Sequence, residues 1–174
     1  MLFRSVGVIG IDIVNKTVNS SSPDPTTQFL DESASAQAEI DRLRAKGVNK
    51  IVLLTHIQYA NDVALAAKLS GVDVIVGGDS HSLLGAGFEG FGLNPAGDYP
   101  TVARNADGEN VCVVQAWEYA NVVGELRVSF DDDGNVTSCS GTPHLLLADS
   151  FKRKNAERKR VELTGKDQIG RAHV

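Results

Sequence analysis

The chain has 174 residues, 42% of them hydrophobic, and a formal net charge of −5. That length suits about one domain with a real core, and the acidic balance argues against a general nucleic-acid or membrane-surface binder. No apolar run approaches the roughly 20 residues that a membrane-spanning helix requires.

Residues 5–11 form a short β-rich run. The opening segment has one basic residue and a run broken by glycines, so it reads as a buried strand and not as a secretory signal. Residues 15–27, rich in Asn, Ser and Thr with Pro23 and Pro25, read as loop. Residues 31–46 read as a helix that starts near Ser33, puts Ala36, Ile40 and Leu43 on one face and stops at Gly47. Residues 50–55 are Ile, Val and Leu-rich, as expected for a parallel strand buried on both faces. A second helix is expected over 61–69, capped by Asn61-Asp62, and a third strand over 72–76. The order β-loop-α-β-α-β predicts an α/β fold with a parallel sheet and right-handed crossovers. After the glycine-rich stretch 85–100, strands at 101–105, 111–116, 122–130 and 136–140, with a turn at 131–135, predict an antiparallel second half. Residues 152–160 are polar and basic, as a solvated linker or helix face is.

The chemistry concentrates where two of these strands end. One apolar run closes on Thr55-His56, and the next on Gly77-Gly78-Asp79-Ser80-His81. Successive parallel strands deliver their ends to one edge of the sheet, where α/β proteins place their sites. Imidazole and carboxylate at that edge suit a divalent metal. The bland alternative makes His56 a core or capping histidine and Gly-Gly-Asp-Ser a mere turn. Cys112 and Cys139 can form a bridge in an exported protein or remain two thiols.

The segment Gly71-Val-Asp-Val-Ile-Val-Gly-Gly-Asp-Ser-His81, preceded by Thr55-His56, closely resembles the metallophosphoesterase domain of the 5'-nucleotidase family, the calcineurin-like phosphatases. The likeness runs from about residue 5 to residue 163. It takes in Val114-Gln115-Ala116 and Gly124-Glu-Leu-Arg-Val-Ser-Phe130.

The resemblance implies part of a four-layer α/β/β/α sandwich. It also implies hydrolysis of phosphomonoesters, above all nucleoside 5'-monophosphates, by a metal-activated water. His56, Asp79 and His81 would bind metal, with Thr55, Gly78, Ser80 and Ser82 supporting them. The cofactors would be two divalent ions (Zn, Mn, Fe, Mg or Ca), and the ligand a small nucleotide. The location would be periplasmic, extracellular or cell-surface. Asp79 departs from the family, which more often has His there. The family's N-terminal ligand motifs are not found: no Asp-x-His stands near the start, no Gly-Asp pair has the right context, and no Gly-Asn-His-Glu occurs.

Residues 1–150 are therefore expected to be the second half of a catalytic domain, inactive alone. Residues 151–167 would lead toward a nucleotide-binding domain, and 168–174 would be a tail foreign to both. Alternatives on the same scaffold are a nucleotide-sugar or sulfur-ester hydrolase, a cyclic-nucleotide phosphodiesterase, or a non-catalytic metal-binding relative. Other motifs are weaker. Gly10 to Thr17 only approximates a phosphate loop, Asp131, Asp133 and Asn135 fit a hairpin better than a calcium loop, and His144 reads as structural.

Overall fold

The computed structural model describes residues 5–146, 150–154 and 157–164. Its centre is a five-stranded sheet in the order β1-β2-β3-β5-β4. The strands are β1 (Gly7–Asp12), β2 (Ile51–His56), β3 (Val74–Val76), β4 (Thr101–Arg104) and β5 (Asn110–Val114). β1, β2, β3 and β5 run parallel, and β4 closes the edge antiparallel to β5. The expected antiparallel second half is thus corrected: β5 inserts between β3 and β4 and extends the parallel sheet. Its run Val111 to Val114 is buried throughout, which suits a central strand better than an alternating edge strand.

Two helices cover one face of the sheet. α2 (Glu32–Arg44) is capped two residues before the Ser33 signal, because Asp31 Oδ1 accepts the Ala34 N–H at 2.8 Å. Its Ala36 and Ile40 are fully buried against Ile9, Ile51 and Leu53. α3 (Tyr59–Ala66) begins before Asn61, and Asp62 is not its cap. Leu65 and Ala66 enter the same core, and Asp62 is itself fully buried.

A short helix, α1 (Val14–Ser20), occupies part of the predicted loop 15–27. Local composition gives no reason for it. Its first N–H, on Val14, is accepted by Glu32 Oε1 at 2.9 Å, so a residue eighteen positions away starts the helix.

The opposite face is covered only in part. The hairpin β6 (Val122–Phe130) and β7 (Val136–Leu145) packs Leu126, Val128 and Phe130 against Val52, Val74 and Cys112. Its turn is held by Asp131, whose Oδ1 accepts the Asn135 N–H at 2.8 Å, which accounts for the acidic loop without calcium. A disulfide joins Cys112 to Cys139 and fastens the hairpin to β5, which resolves the open alternative in favour of a bridge. Toward β1 and β2 none of the described residues covers this face, and Val8 (59% exposed) and Leu54 (49%) lie open.

The stretch expected to be a connecting segment contains a second hairpin, β8 (Ser150–Lys154) with β9 (Arg160–Thr164). The tail 168–174 lies outside the described residues.

Candidate metal centre

Register decides what meets at the carboxyl edge of the sheet. In the β1–β2 ladder Asp12 is the partner of His56, and in β2–β3 Leu54 is the partner of Val76. Two residues beyond each of those positions lie His56 and Gly78, so the glycine-led turn rises beside the histidine. His56 Nε2 is 3.9 Å from Asp79 Oδ1, and His56 Nδ1 is 3.2 Å from Asp12 Oδ1.

The turn is tight. Asp79 and His81 have φ of +72° and +50°, the left-handed region that L residues enter at a cost of about 1–2 kcal/mol. Glycine is required ahead of them. A Cβ on Gly77 would lie 2.1 Å from Asp62 Oδ2, and one on Gly78 3.3 Å from the Thr55 carbonyl oxygen.

Several side chains hold this geometry. Gln115, just past β5, donates from Nε2 to the Gly78 carbonyl at 2.7 Å, and its Oε1 accepts from Ser82 N–H and from Ser80 Oγ. Ser80 Oγ accepts the Tyr59 N–H at 3.0 Å and lies 2.9 Å from Ser82 Oγ. These bonds tie the turn to β5 and α3, and Gln115 is a partner the sequence did not single out. Thr55 Oγ1 donates to Asp62 Oδ1 at 2.5 Å, which ties the end of β2 to α3.

Asp79 has the character of a cation ligand. Its side chain is 2% exposed, yet Oδ2 has no hydrogen-bond partner among the described residues. Oδ1 pairs with the Lys16 ammonium, from α1. That ammonium, with a smaller contribution from the Gln58 side chain, holds the Asp79 carboxyl below the usual carboxylate range. A buried carboxylate with one free oxygen and a positive charge already drawn to it, beside an imidazole, fits a divalent metal by its donor chemistry.

His81 meets a different carboxylate. Its Nδ1 lies 2.9 Å from Glu118 Oε2, and its ring meets Tyr119 edge-on at 5.6 Å. Among the described residues, no three or more His, Cys, Asp or Glu side chains are gathered tightly enough to hold a metal as they stand. The structure thus brings His56 and Asp79 together, adds Asp12 and Lys16, and leaves His81 with Glu118. His144 is remote from these groups in its contacts, 3.4 Å from Glu125 Oε2 on β6.

The turn that carries Glu118 is strained. Trp117, Tyr119 and Ala120 all have positive φ, +59°, +50° and +55°. Ala120→Gly is expected to stabilise the protein by about 1 kcal/mol, since only glycine adopts this region freely; urea denaturation would detect it as a higher midpoint. An unchanged or lower midpoint would show that Ala120 carries no such strain.

Burial pushes the carboxyls of Asp62 and Asp73 each up to about 6, from 3.8. Between those values the folded protein keeps protons that the unfolded chain has lost. These groups therefore favour folding most below pH 4, and their contribution is lost as pH rises through 6. Asp62→Asn cannot ionise and is expected to remove about 2 kcal/mol of the decline between pH 4 and 7. Urea midpoints across that range test this, and a decline equally steep in D62N would contradict it.

The fold and this edge define an α/β protein with paired imidazole and carboxylate at the ends of adjacent parallel strands. Comparison with known proteins is specific. The chain is 44% identical over 160 residues to a probable 5'-nucleotidase of Treponema pallidum, covering 91% of this chain and 27% of that protein. The solved structure of the NAD nucleotidase of Haemophilus influenzae matches 96% of the chain and 33% of its own, with a TM-score of 0.83 and 40% identity. That of a 5'-nucleotidase precursor from Thermus thermophilus matches 71% of the chain and 24% of its own, with a TM-score of 0.67 and 52% identity. No family model matches. The chain belongs to the 5'-nucleotidase family and spans about a quarter of the length of the curated relatives it matches.

Proposed function

We propose that this chain supplies one part of the metal centre of a phosphomonoester hydrolase that acts on nucleoside 5'-monophosphates. The observation that carries the reading is the pairing of His56 with the buried, half-partnered Asp79 at the ends of β2 and β3. His56 through Nε2 and Asp79 through Oδ2 would hold metal, with His81 as the third ligand. Two divalent ions, when bound, clamp a phosphate and lower the pKa of water.

The chain's own groups do the rest. Gln115, Ser80 and Ser82 fix the turn. Thr55 and Asp62 fix the end of β2. Lys16 balances the Asp79 charge and, once a metal takes that carboxylate, would turn its ammonium toward an anionic substrate. The missing ligands would come from polypeptide packed on the bare side of the sheet at Val8 and Leu54, as the second sheet of an α/β/β/α sandwich. Residues 1–150 then form half of the catalytic domain, and 151–167 lead toward a nucleotide-binding domain. A location outside the cytoplasm is supported by the Cys112–Cys139 bridge, since disulfides persist in oxidising compartments. No helix among the described residues is long and apolar enough to cross a membrane.

The test is phosphate release from AMP. A longer polypeptide that includes the length found in the relatives is expected to release it, and to stop when EDTA removes metal. The 174-residue protein alone is expected to release none. An inactive longer polypeptide would overturn the hydrolase reading, and metal-dependent turnover by the 174-residue protein would overturn the division of the site.

A further inference from the structure

Both candidate ligand histidines have the same nitrogen engaged by a carboxylate from a neighbouring element. His56 Nδ1 is 3.2 Å from Asp12 Oδ1, and His81 Nδ1 is 2.9 Å from Glu118 Oε2. An ionised carboxylate only accepts, so the His56 Nδ1 that bonds Asp12 carries the proton when the ring is neutral, and a bond from His81 Nδ1 to Glu118 demands the same of that ring. The lone pair is then left on Nε2, which in His56 is the nitrogen on the Asp79 side.

We infer that Asp12 and Glu118 are positioning residues that fix both imidazoles as Nε2 donors to metal. The inference rests on the proposed metal reading and adds to it two carboxylates that no motif marks.

The scaffold supports each role. Asp12 ends β1 opposite His56 in the ladder. Its own orientation is set by the Ile13 N–H on Oδ1 at 2.9 Å and the Thr17 hydroxyl on Oδ2 at 3.2 Å. α1 thus serves to aim Asp12 as well as to bring Lys16 to Asp79. Glu118 is held by the left-handed turn between β5 and β6, where its neighbours Trp117 and Tyr119 both have positive φ. Tyr119 against the His81 ring limits its rotation from the side. A carboxylate behind a ligating imidazole fixes the ring's tautomer and raises its basicity. The pairing also keeps each ring from turning its protonated nitrogen toward the cation.

The experiment reads tautomers and metal affinity, not turnover. In metal-free protein, at a pH where both rings are neutral, long-range 1H–15N spectra are expected to show His56 and His81 protonated on Nδ1. Asp12→Ala should release His56 alone to the Nε2-protonated form that free imidazoles prefer, and Glu118→Ala should release His81 alone. Titration with Mn2+ alone should show each variant binding about 10- to 100-fold more weakly. Asp12→Asn retains an oxygen that accepts Nδ1–H and should recover part of the loss; it also separates this role from the Ile13 and Thr17 contacts. Wild-type rings protonated on Nε2, or variants with unchanged tautomers and Mn2+ affinity, would overturn the inference. Failure of the underlying reading looks different: His56→Ala would bind Mn2+ as tightly as wild type, whatever the tautomer spectra show.

Discussion

Reduction of the Cys112–Cys139 bridge, or its replacement by Cys112→Ala with Cys139→Ala, is expected to lower the melting temperature by about 10 °C. The bridge spans 27 residues of sequence. Closing a loop of that size removes chain entropy from the unfolded state worth about 3.5 kcal/mol. The bond also crosses layers, joining the fully buried Cys112 of the central sheet to β7 of the covering hairpin. Without it, the contacts of Leu126, Val128 and Phe130 with Val52 and Val74 must hold that hairpin alone. Calorimetry with and without a phosphine reductant measures the effect. A shift under about 2 °C would mean that packing alone fastens the hairpin.

His56→Ala is expected to weaken Mn2+ binding by more than about 100-fold, beyond the usual loss for an outer-shell residue. Asp79→Ala should do at least as much, because it removes the buried carboxylate whose Oδ2 lacks a partner. It would also leave the Lys16 ammonium facing the site without its counter-charge. The two losses should not add, since the groups lie 3.9 Å apart at closest and would share an ion. Additive losses in the double variant, measured by titration calorimetry, would place them in separate sites. The same calorimetry should show the weakened binding falling further in the presence of competing Mg2+, which prefers oxygen ligands and gains nothing from the imidazole.

The parallel sheet and its site edge were legible because burial on both faces and strand-end placement leave direct marks. The run at 51–55 has no polar alternation, and its continuation ends in chemistry-bearing residues. Other features were hidden for physical reasons. α1 depends on Glu32, eighteen residues from the N–H it accepts, and its Asn, Thr and Ser content argues locally for a turn. β5 looks like any short apolar strand, and nothing local tells a hairpin partner from an insertion beside β3. Asp62 sits where a cap is expected, but α3 starts earlier, behind Gln58 at a φ of +81°. The acid is thereby turned inward to the Thr55 hydroxyl. Of the candidate site, the sequence pointed to His56, Asp79 and His81, with Thr55, Gly78, Ser80 and Ser82 beside them, through the ends of two successive apolar runs. Asp12 and Lys16 come from one other stretch and Gln115 and Glu118 from another, and only the sheet topology brings them to the same edge. The disulfide stayed open because spacing alone cannot show that two distant cysteines face each other.

His56 and Asp79 are proposed as ligands of one cation. Crystals grown with Mn2+ and measured at the manganese absorption edge test it most directly. An anomalous peak is expected within coordination distance of His56 Nε2 and Asp79 Oδ2, with the Lys16 ammonium displaced. Manganese found elsewhere, with Lys16 still seated on Asp79, would contradict it.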